Sequence, residues 1–128
     1  MSKLPERPRI FVVDDEPNIA ISLGLILSQD GFDATPFTDP LEALQSIRAK
    51  APDLLISDVI MPGLSGVELA IVMREICPDC VVILFSGQIA TEAILESARD
   101  RGYDFGVLAK PVHPSDMLRT VRSGLGRN

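Results

Sequence analysis

The sequence of 128 residues contains no tryptophan, one tyrosine, one histidine and two cysteines. With five phenylalanines as the only other aromatic residues, it offers no stacking platform for single-stranded nucleic acid. Two cysteines are too few for a disulfide framework. Basic residues are also scarce, since 12 against 18 acidic residues give a net charge of −6. An acidic surface repels phosphate backbones, so we expect no direct contact with nucleic acid.

Long apolar segments are missing as well. The longest apolar run, Cys80 to Phe85, is far shorter than the roughly 20 residues of a membrane-spanning helix. The segment before the first apolar stretch lacks the apolar core and cleavage site of a secretory signal. We therefore expect a cytoplasmic protein that does not associate with membranes. The length predicts a single domain, and 46% hydrophobic residues are typical of a globular protein.

Short apolar segments alternate along the chain with segments of helical periodicity. Arg9–Val13 and Val81–Phe85 are apolar on both faces, as buried parallel strands are. The weaker segment Ala34–Phe37 contains Pro36, which confines it to a sheet edge. Five strands alternating with five helices predict right-handed βα units and a doubly wound, three-layer α/β sandwich.

Polar residues follow the strong predicted strands. Because the carboxyl ends of parallel strands share one edge of a sheet, we expect these side chains to converge. Three carboxylates at one place repel each other unless a cation holds them, and Mg²⁺ prefers such oxygen ligands. A carboxylate is also a nucleophile for phosphoryl transfer, and ammonium and hydroxyl groups can bind phosphoryl oxygens. The residues are Asp14, Asp15, Asp58, Ser86 and Lys110.

Each of these residues alone has a simpler interpretation. An acidic pair at a strand end is most often a helix cap, a serine there is a turn residue, and a lysine is a solvated charge. All five at one edge of one sheet are not expected by chance. The combination therefore favours a functional site.

Four motifs in this order resemble the receiver (CheY-like) domain of bacterial two-component response regulators. The resemblance runs from about Arg9 to Leu125. It implies an N-terminal tail of residues 1–8, a receiver domain over residues 9–125, and a flavodoxin-like (βα)5 fold with sheet order 2-1-3-4-5. The motifs are Val12-Val-Asp-Asp-Glu-Pro17, Ile56-Ser-Asp-Val-Ile-Met-Pro-Gly63, Leu84-Phe-Ser-Gly87 and Lys110-Pro111.

The resemblance implies a role for each acidic residue. Asp58 would be the phosphoacceptor, taking a phosphoryl group from a phosphohistidine on a sensor histidine kinase or a histidine phosphotransfer protein. Asp15 would bind Mg²⁺ directly, and Asp14 would assist, partly through water. Asp58 and the backbone carbonyl of Ile60 would complete the protein ligands of the ion.

The resemblance also implies roles at the ends of the last two strands. Lys110 would bind a phosphoryl oxygen, its peptide bond to Pro111 would be cis, and the Ser86 hydroxyl would move to the phosphoryl group. The chain departs from the family pattern in two ways: Val107 stands where relatives commonly carry Tyr or Phe, and the segment Gly102–Gly106 is one residue longer than usual. Phe105 should point to the same face as Val107 but lie too far from Ser86 to replace that ring.

In the implied sheet order, strands 2 and 5 form the edges, which leaves the surface of helix 4, strand 5 and helix 5 exposed. The resemblance implies that a downstream protein binds there. We expect a signalling phosphoacceptor with no external substrate, not an enzyme. Because no output domain follows the fifth predicted helix, we expect a stand-alone receiver.

Three alternatives remain open from the sequence. One is a receiver fragment of a larger regulator or hybrid kinase. Another is a Mg²⁺-dependent phosphatase with an aspartyl nucleophile, although such enzymes carry Asp-x-Asp after the first strand and a cap domain. A phosphate-independent interaction module is the third, which the complete set of acids and lysine disfavours.

The two cysteines are predicted to be inert. Cys77-Pro-Asp-Cys80 closes a helix, where the dipole disfavours the thiolate of a redox pair. A zinc site would need two further ligands, and His113 is the only histidine. We therefore expect two small apolar side chains at Cys77 and Cys80, and His113 in a surface loop near the last helix cap.

Overall fold

A computed structural model describes residues 7–87 and 91–126 of the chain. Residues 1–6 of the expected N-terminal tail lie outside the described part. The strands are β1 (Arg9–Val13), β2 (Asp33–Phe37), β3 (Leu54–Asp58), β4 (Val81–Ser86) and β5 (Gly106–Ala109). The helices are α1 (Pro17–Gln29), α2 (Pro40–Ala49), α3 (Gly66–Ile76), α4 (Thr91–Asp100) and α5 (Pro114–Gly124).

The five strands form one parallel sheet in the order β2-β1-β3-β4-β5. This order confirms the predicted fold, with β2 and its Pro36 at one edge and β5 at the other. Helices α1 and α5 cover one face of the sheet, and α2, α3 and α4 cover the other. The order reverses between β1 and β3, and it is beside this point that ligands bind in such sheets.

The three central strands, β1, β3 and β4, are largely apolar on both faces because both faces are buried. In β1, Ile10 and Val12 pack in the cluster with α1 and α5, while Phe11 and Val13 pack in the cluster with α2 and α3. This alternation of neighbours explains the continuous apolar run in the sequence. No helix within residues 7–87 and 91–126 is long and apolar enough to span a membrane.

Side chains fix the last helix in place. The guanidinium of Arg122 in α5 pairs with the Asp30 carboxylate at the end of α1, with Nε 3.0 Å from Oδ2. His113 is the exposed N-cap of α5, and its Nδ1 accepts from the Ser115 backbone N–H at 3.3 Å. The prediction for His113 is therefore confirmed.

The cysteines differ from expectation. Cys77 and Cys80 are joined by a disulfide, so the prediction of two separate apolar side chains is wrong. Helix α3 ends at Ile76, and the tight turn that follows brings the two Cα atoms to 5.4 Å, within the range a disulfide spans. The helix dipole, on which the prediction rested, does not report how close this turn brings the two cysteines.

Candidate functional site

Three carboxylates converge at the carboxyl edge of the sheet. Asp14 follows β1, and Asp58 ends the neighbouring strand β3. Asp14, Asp15 and Asp58 each have a carboxylate oxygen within 4.8 Å of the other two. Asp14 is fully buried, Asp58 is partly buried and Asp15 is exposed. The structure thus brings together the acids that the sequence placed at one edge.

Lys110 reaches into this acidic group from the end of β5. Its Nζ atom lies 3.1 Å from Oδ2 of Asp14 and 3.2 Å from Oδ2 of Asp58. The backbone N–H of Lys110 donates to the carbonyl of Ser86 at 3.0 Å, which continues the pairing of β4 with β5. The peptide bond between Lys110 and Pro111 is cis, as the resemblance implies.

The electrostatics of the site follow from burial and from the imbalance of charge. Burial raises the pKa of the Asp58 carboxyl above its usual range, and the Asp14 and Asp15 carboxylates raise it further, against the opposing effect of Lys110. Burial alone would lower the pKa of Lys110, but its hydrogen bond to Asp14 and the nearby carboxylates leave it raised. Three carboxylates therefore face one ammonium ion.

The donor set fits a divalent cation of the magnesium type, which takes hard oxygen ligands. Oδ2 of Asp14 accepts from Lys110, and its Oδ1 accepts from the Glu16 backbone N–H at 2.9 Å. These bonds suit the indirect role that the resemblance gives Asp14. Asp15, Asp58 and Ile60 all line the same open cleft.

The backbone at Asp58 is held by the start of α3. A Cβ atom on Gly66 would overlap the carbonyl oxygen of Asp58, so only glycine lets the helix come this close. The Gly66 N–H donates to the Val59 carbonyl at 2.8 Å, and the buried Ser57 hydroxyl donates to the Asp58 carbonyl at 2.9 Å. Gly66 was not among the residues predicted for the site. Its place directly after the helix-capping Ser65 was the available signal.

A second glycine makes room for the lysine. Gly87 follows Ser86, and a Cβ atom at Gly87 would stand 3.2 Å from the Cβ atom of Lys110. Asp58 at the end of β3 pairs with Phe85 of β4. Ser86, the next residue of β4, pairs with Ala109 of β5. Ser86 therefore lies at the predicted edge. The close contact between Gly87 and Lys110 was not found from the sequence, because it depends on strands that are distant in the chain.

The departure at Val107 has a structural counterpart. Val107 is 43% exposed on the edge strand. The Phe105 ring is buried before the amino end of β5, stacked on Tyr103 with centroids 6.1 Å apart. Because Ser86 pairs with Ala109 at the other end of β5, the expectation that Phe105 lies too far from Ser86 is confirmed.

Fold and site together define a flavodoxin-like α/β domain with an acidic, lysine-containing centre at the carboxyl edge of its sheet. The family model for the response regulator receiver domain matches residues 10–122. The chain belongs to this family of two-component systems.

Curated relatives extend this similarity. The DNA-binding response regulator MtrA of Mycolicibacterium smegmatis is 34% identical over 122 residues, which cover 95% of this chain and 52% of that protein. The C4-dicarboxylate transport transcriptional regulatory protein DctD of Rhizobium meliloti is 29% identical over 115 residues, covering 90% of this chain and 25% of that protein. The chain thus spans about half the length of MtrA and a quarter of DctD.

Solved structures agree with the fold. A CheY-like receiver domain protein from Methanospirillum hungatei superposes with a TM-score of 0.85 at 26% identity, over 94% of this chain and 95% of that one. A response regulator from Chloroflexus aurantiacus superposes with a TM-score of 0.81 at 28% identity, over 95% of this chain and all of that one.

Proposed function

We propose that Asp58 accepts a phosphoryl group from a phosphohistidine and that this modification switches a protein-binding surface. The observation that carries the proposal is the Asp58 carboxylate, at an open cleft and 3.2 Å from the Lys110 ammonium. A carboxylate oxygen of Asp58 attacks phosphorus, the P–N bond to the histidine breaks, and an acyl phosphate forms. Lys110 then binds a phosphoryl oxygen in place of the lost carboxylate charge.

Mg²⁺ is the cofactor that we propose for this site. Asp15, Asp58 and the Ile60 carbonyl would hold it, with Asp14 assisting. When bound, the ion offsets the charge of the carboxylates and of the incoming phosphoryl oxygens. The chain's own residues orient the nucleophile: the Ser57 hydroxyl and the α3 N-terminus fix the backbone at Asp58, as described above.

The proposed reaction takes place on the chain itself. Phosphorylation and slow hydrolysis of the acyl phosphate are its only chemistry, so we propose a signalling phosphoacceptor and not an enzyme with an external substrate. The donor is a sensor histidine kinase or a histidine phosphotransfer protein. We propose a cytoplasmic location away from membranes, which this chemistry supports.

The output surface that we propose is the face formed by α4, β5 and α5. Sheet edge β5 is open on this side, and Val107 is exposed there. A downstream protein would bind this face. The net charge of −6 supports an output through protein contacts and not through direct binding of nucleic acid by these residues.

We propose that the receiver either works alone or is joined to an output domain, and the lengths of MtrA and DctD support the second arrangement. Immunodetection of the natural protein separates the two. A species near 13.9 kDa supports the first, and a markedly larger one supports the second.

Intact-mass measurement after incubation with acetyl phosphate and Mg²⁺ tests the phosphoacceptor role. We expect the mass of one phosphoryl group on the wild-type chain and none on Asp58→Asn. Asp33→Asn is the matched control, since Asp33 begins β2 and so lies at the amino ends of the strands, away from the site at their carboxyl ends. Undiminished labelling of Asp58→Asn would contradict the assignment.

A further inference from the structure

The disulfide between Cys77 and Cys80 lies on an accessible turn between α3 and β4. Both cysteines are partly buried, whereas the two residues between them, Pro78 and Asp79, are exposed. The Cys77 N–H donates to the Met73 carbonyl at 2.8 Å, so the bridge begins on the last turn of α3. A redox partner can therefore approach the turn without opening the core.

The same turn is linked to the loop between α4 and β5. Cys80 and Tyr103 pack against one hydrophobic cluster, which also contains Phe105. From α3, the Arg74 guanidinium lies 5.3 Å from the centre of the Phe105 ring. Glu75 accepts a hydrogen bond from the Tyr103 hydroxyl at 3.5 Å. The end of α3 thus connects the disulfide to the loop that leads into the edge strand.

We propose that Cys77 and Cys80 form a reversible dithiol–disulfide site whose electron donor is a dithiol protein, and whose state sets the packing of residues 102–106. This rests on the proposed function in one respect, namely that a receiver works in the reducing compartment where kinases act. Disulfides in such compartments are mostly transient and serve catalysis or redox sensing.

Reduction of the Cys77–Cys80 disulfide needs no reactant besides the dithiol donor. A thiolate of the donor attacks one cysteine sulfur, the Cys77–Cys80 bond breaks, and a mixed disulfide forms. The second thiol of the donor then displaces the protein cysteine. The products are two protein thiols and an oxidised donor, so two electrons and two protons pass to Cys77 and Cys80.

The local charges select the kind of donor. The cysteines follow the negative end of the α3 dipole, with Glu75 and Asp79 beside them in the chain, and all three disfavour thiolates. A cysteine that forms a thiolate poorly leaves slowly when a monothiol attacks. A dithiol donor meets the same slow first step, but its second thiol closes a ring and releases the protein cysteine before the freed cysteine can attack the mixed disulfide again. We therefore expect dithiothreitol to reduce the pair at least about tenfold faster than reduced glutathione.

Alkylation and tyrosine fluorescence together test the proposal on the full chain, purified without reductant. Intact mass should show no alkylation before treatment and two alkylated thiols after dithiothreitol. Tyr103 is the only tyrosine and there is no tryptophan, so its emission reports directly on the loop. Reduction should change that emission, speed amide exchange in residues 102–106 and lower the midpoint of thermal unfolding by a few degrees.

The double variant Cys77→Ser with Cys80→Ser is the control. It should show the emission of the reduced chain and no response to dithiothreitol. Free thiols in the untreated chain, stoichiometric zinc, or unchanged emission and exchange on reduction would each overturn the proposal. Acetyl-phosphate labelling should stay within about a factor of two in this variant, because the turn is far from Asp58. Loss of labelling in every redox state would instead count against the proposed function alone.

Discussion

At the scale of single residues, the site depends on the Lys110 ammonium group, which two carboxylates share. Lys110 lies within 3.2 Å of a carboxylate oxygen of both Asp14 and Asp58, so neither contact can change without affecting the other. Loss of the negative charge on Asp58 leaves Lys110 paired with Asp14. In the proposed phosphorylated state, phosphoryl oxygens on Asp58 would become the new partners of Lys110.

The raised pKa of Asp58 predicts a pH-dependent effect on stability. The folded chain holds the Asp58 proton more tightly than the unfolded chain, so the ionised carboxylate costs stability above its folded-state pKa. That cost vanishes as the pH falls toward the ordinary value of 3.8. In buffer free of divalent ions, Asp58→Asn should raise the midpoint of thermal unfolding at neutral pH by a few degrees. Calorimetry at decreasing pH should show this gain shrinking, and a gain that grows toward acidic pH would contradict the account.

Asp15 is the residue whose loss should most directly weaken Mg²⁺ binding. It is the exposed member of the acidic group, and its neutralisation removes one of the few negative charges that hold the ion. Calorimetric titration of Asp15→Asn with MgCl₂ should give an affinity at least about tenfold below wild type. Asp33→Asn serves as the control with unchanged affinity. Equal affinities for wild type and Asp15→Asn would show that the ion binds elsewhere.

At the scale of elements, α3 and the β3 end form one unit through Gly66. The overlap that any Cβ atom would make with the Asp58 carbonyl means that α3 must retreat if Gly66 is replaced. Gly24 is a useful contrast, because a Cβ atom there would meet Pro36 at an ordinary 3.6 Å within the interior of α1.

These two glycines predict opposite effects of the same substitution. Gly66→Ala should lower the free energy of unfolding by about 2 kcal/mol and slow acetyl-phosphate labelling, since the backbone of Asp58 is displaced. Gly24→Ala should raise it by about 0.5–1 kcal/mol through helix propensity and leave labelling unchanged. Urea unfolding and intact mass measure both quantities. Similar effects of the two variants would mean that α3 does not position Asp58.

Helix α4 is the element that we expect to carry the switch. Within the described residues of α4, only Leu95 and Ala98 are buried, so its displacement costs little. Val107 is exposed and too small to act as the moving ring of relatives. We expect the Ser86 hydroxyl to supply the differential contact with the phosphoryl group and so to bias the loop that follows.

Amide exchange with and without beryllofluoride, a phosphoryl mimic on Asp58, tests this assignment. Residues 87–101 should change most and Val107–Ala109 little. Gln88, which belongs to the expected switch loop, lies outside the described residues but is still measured by exchange. A larger change in β5 than in α4 would refute the prediction.

At the scale of the whole molecule, the helices, the strands and the sheet edge that holds the site could be predicted from the sequence. Strand-ending polar residues can be found from the sequence because parallel strands end on a common edge. Three details of the site depend instead on the positions of side chains and helices. They are the contacts of Lys110 with the carboxylates, the burial of Asp14 but not of Asp15, and the approach of Gly66 to Asp58. Those positions are set by packing between segments far apart in the chain. The disulfide was missed because the turn after α3 decides it, and helical periodicity does not report on turns.

The position of the phosphoryl group is the most direct measurement of the central claim. Borohydride converts an aspartyl phosphate to homoserine, which tandem mass spectrometry locates after proteolysis. Following reaction with acetyl phosphate and Mg²⁺, the account predicts homoserine at position 58 alone. Homoserine at position 14 or 15, or labelling that survives at a residue outside the acidic group, would contradict it.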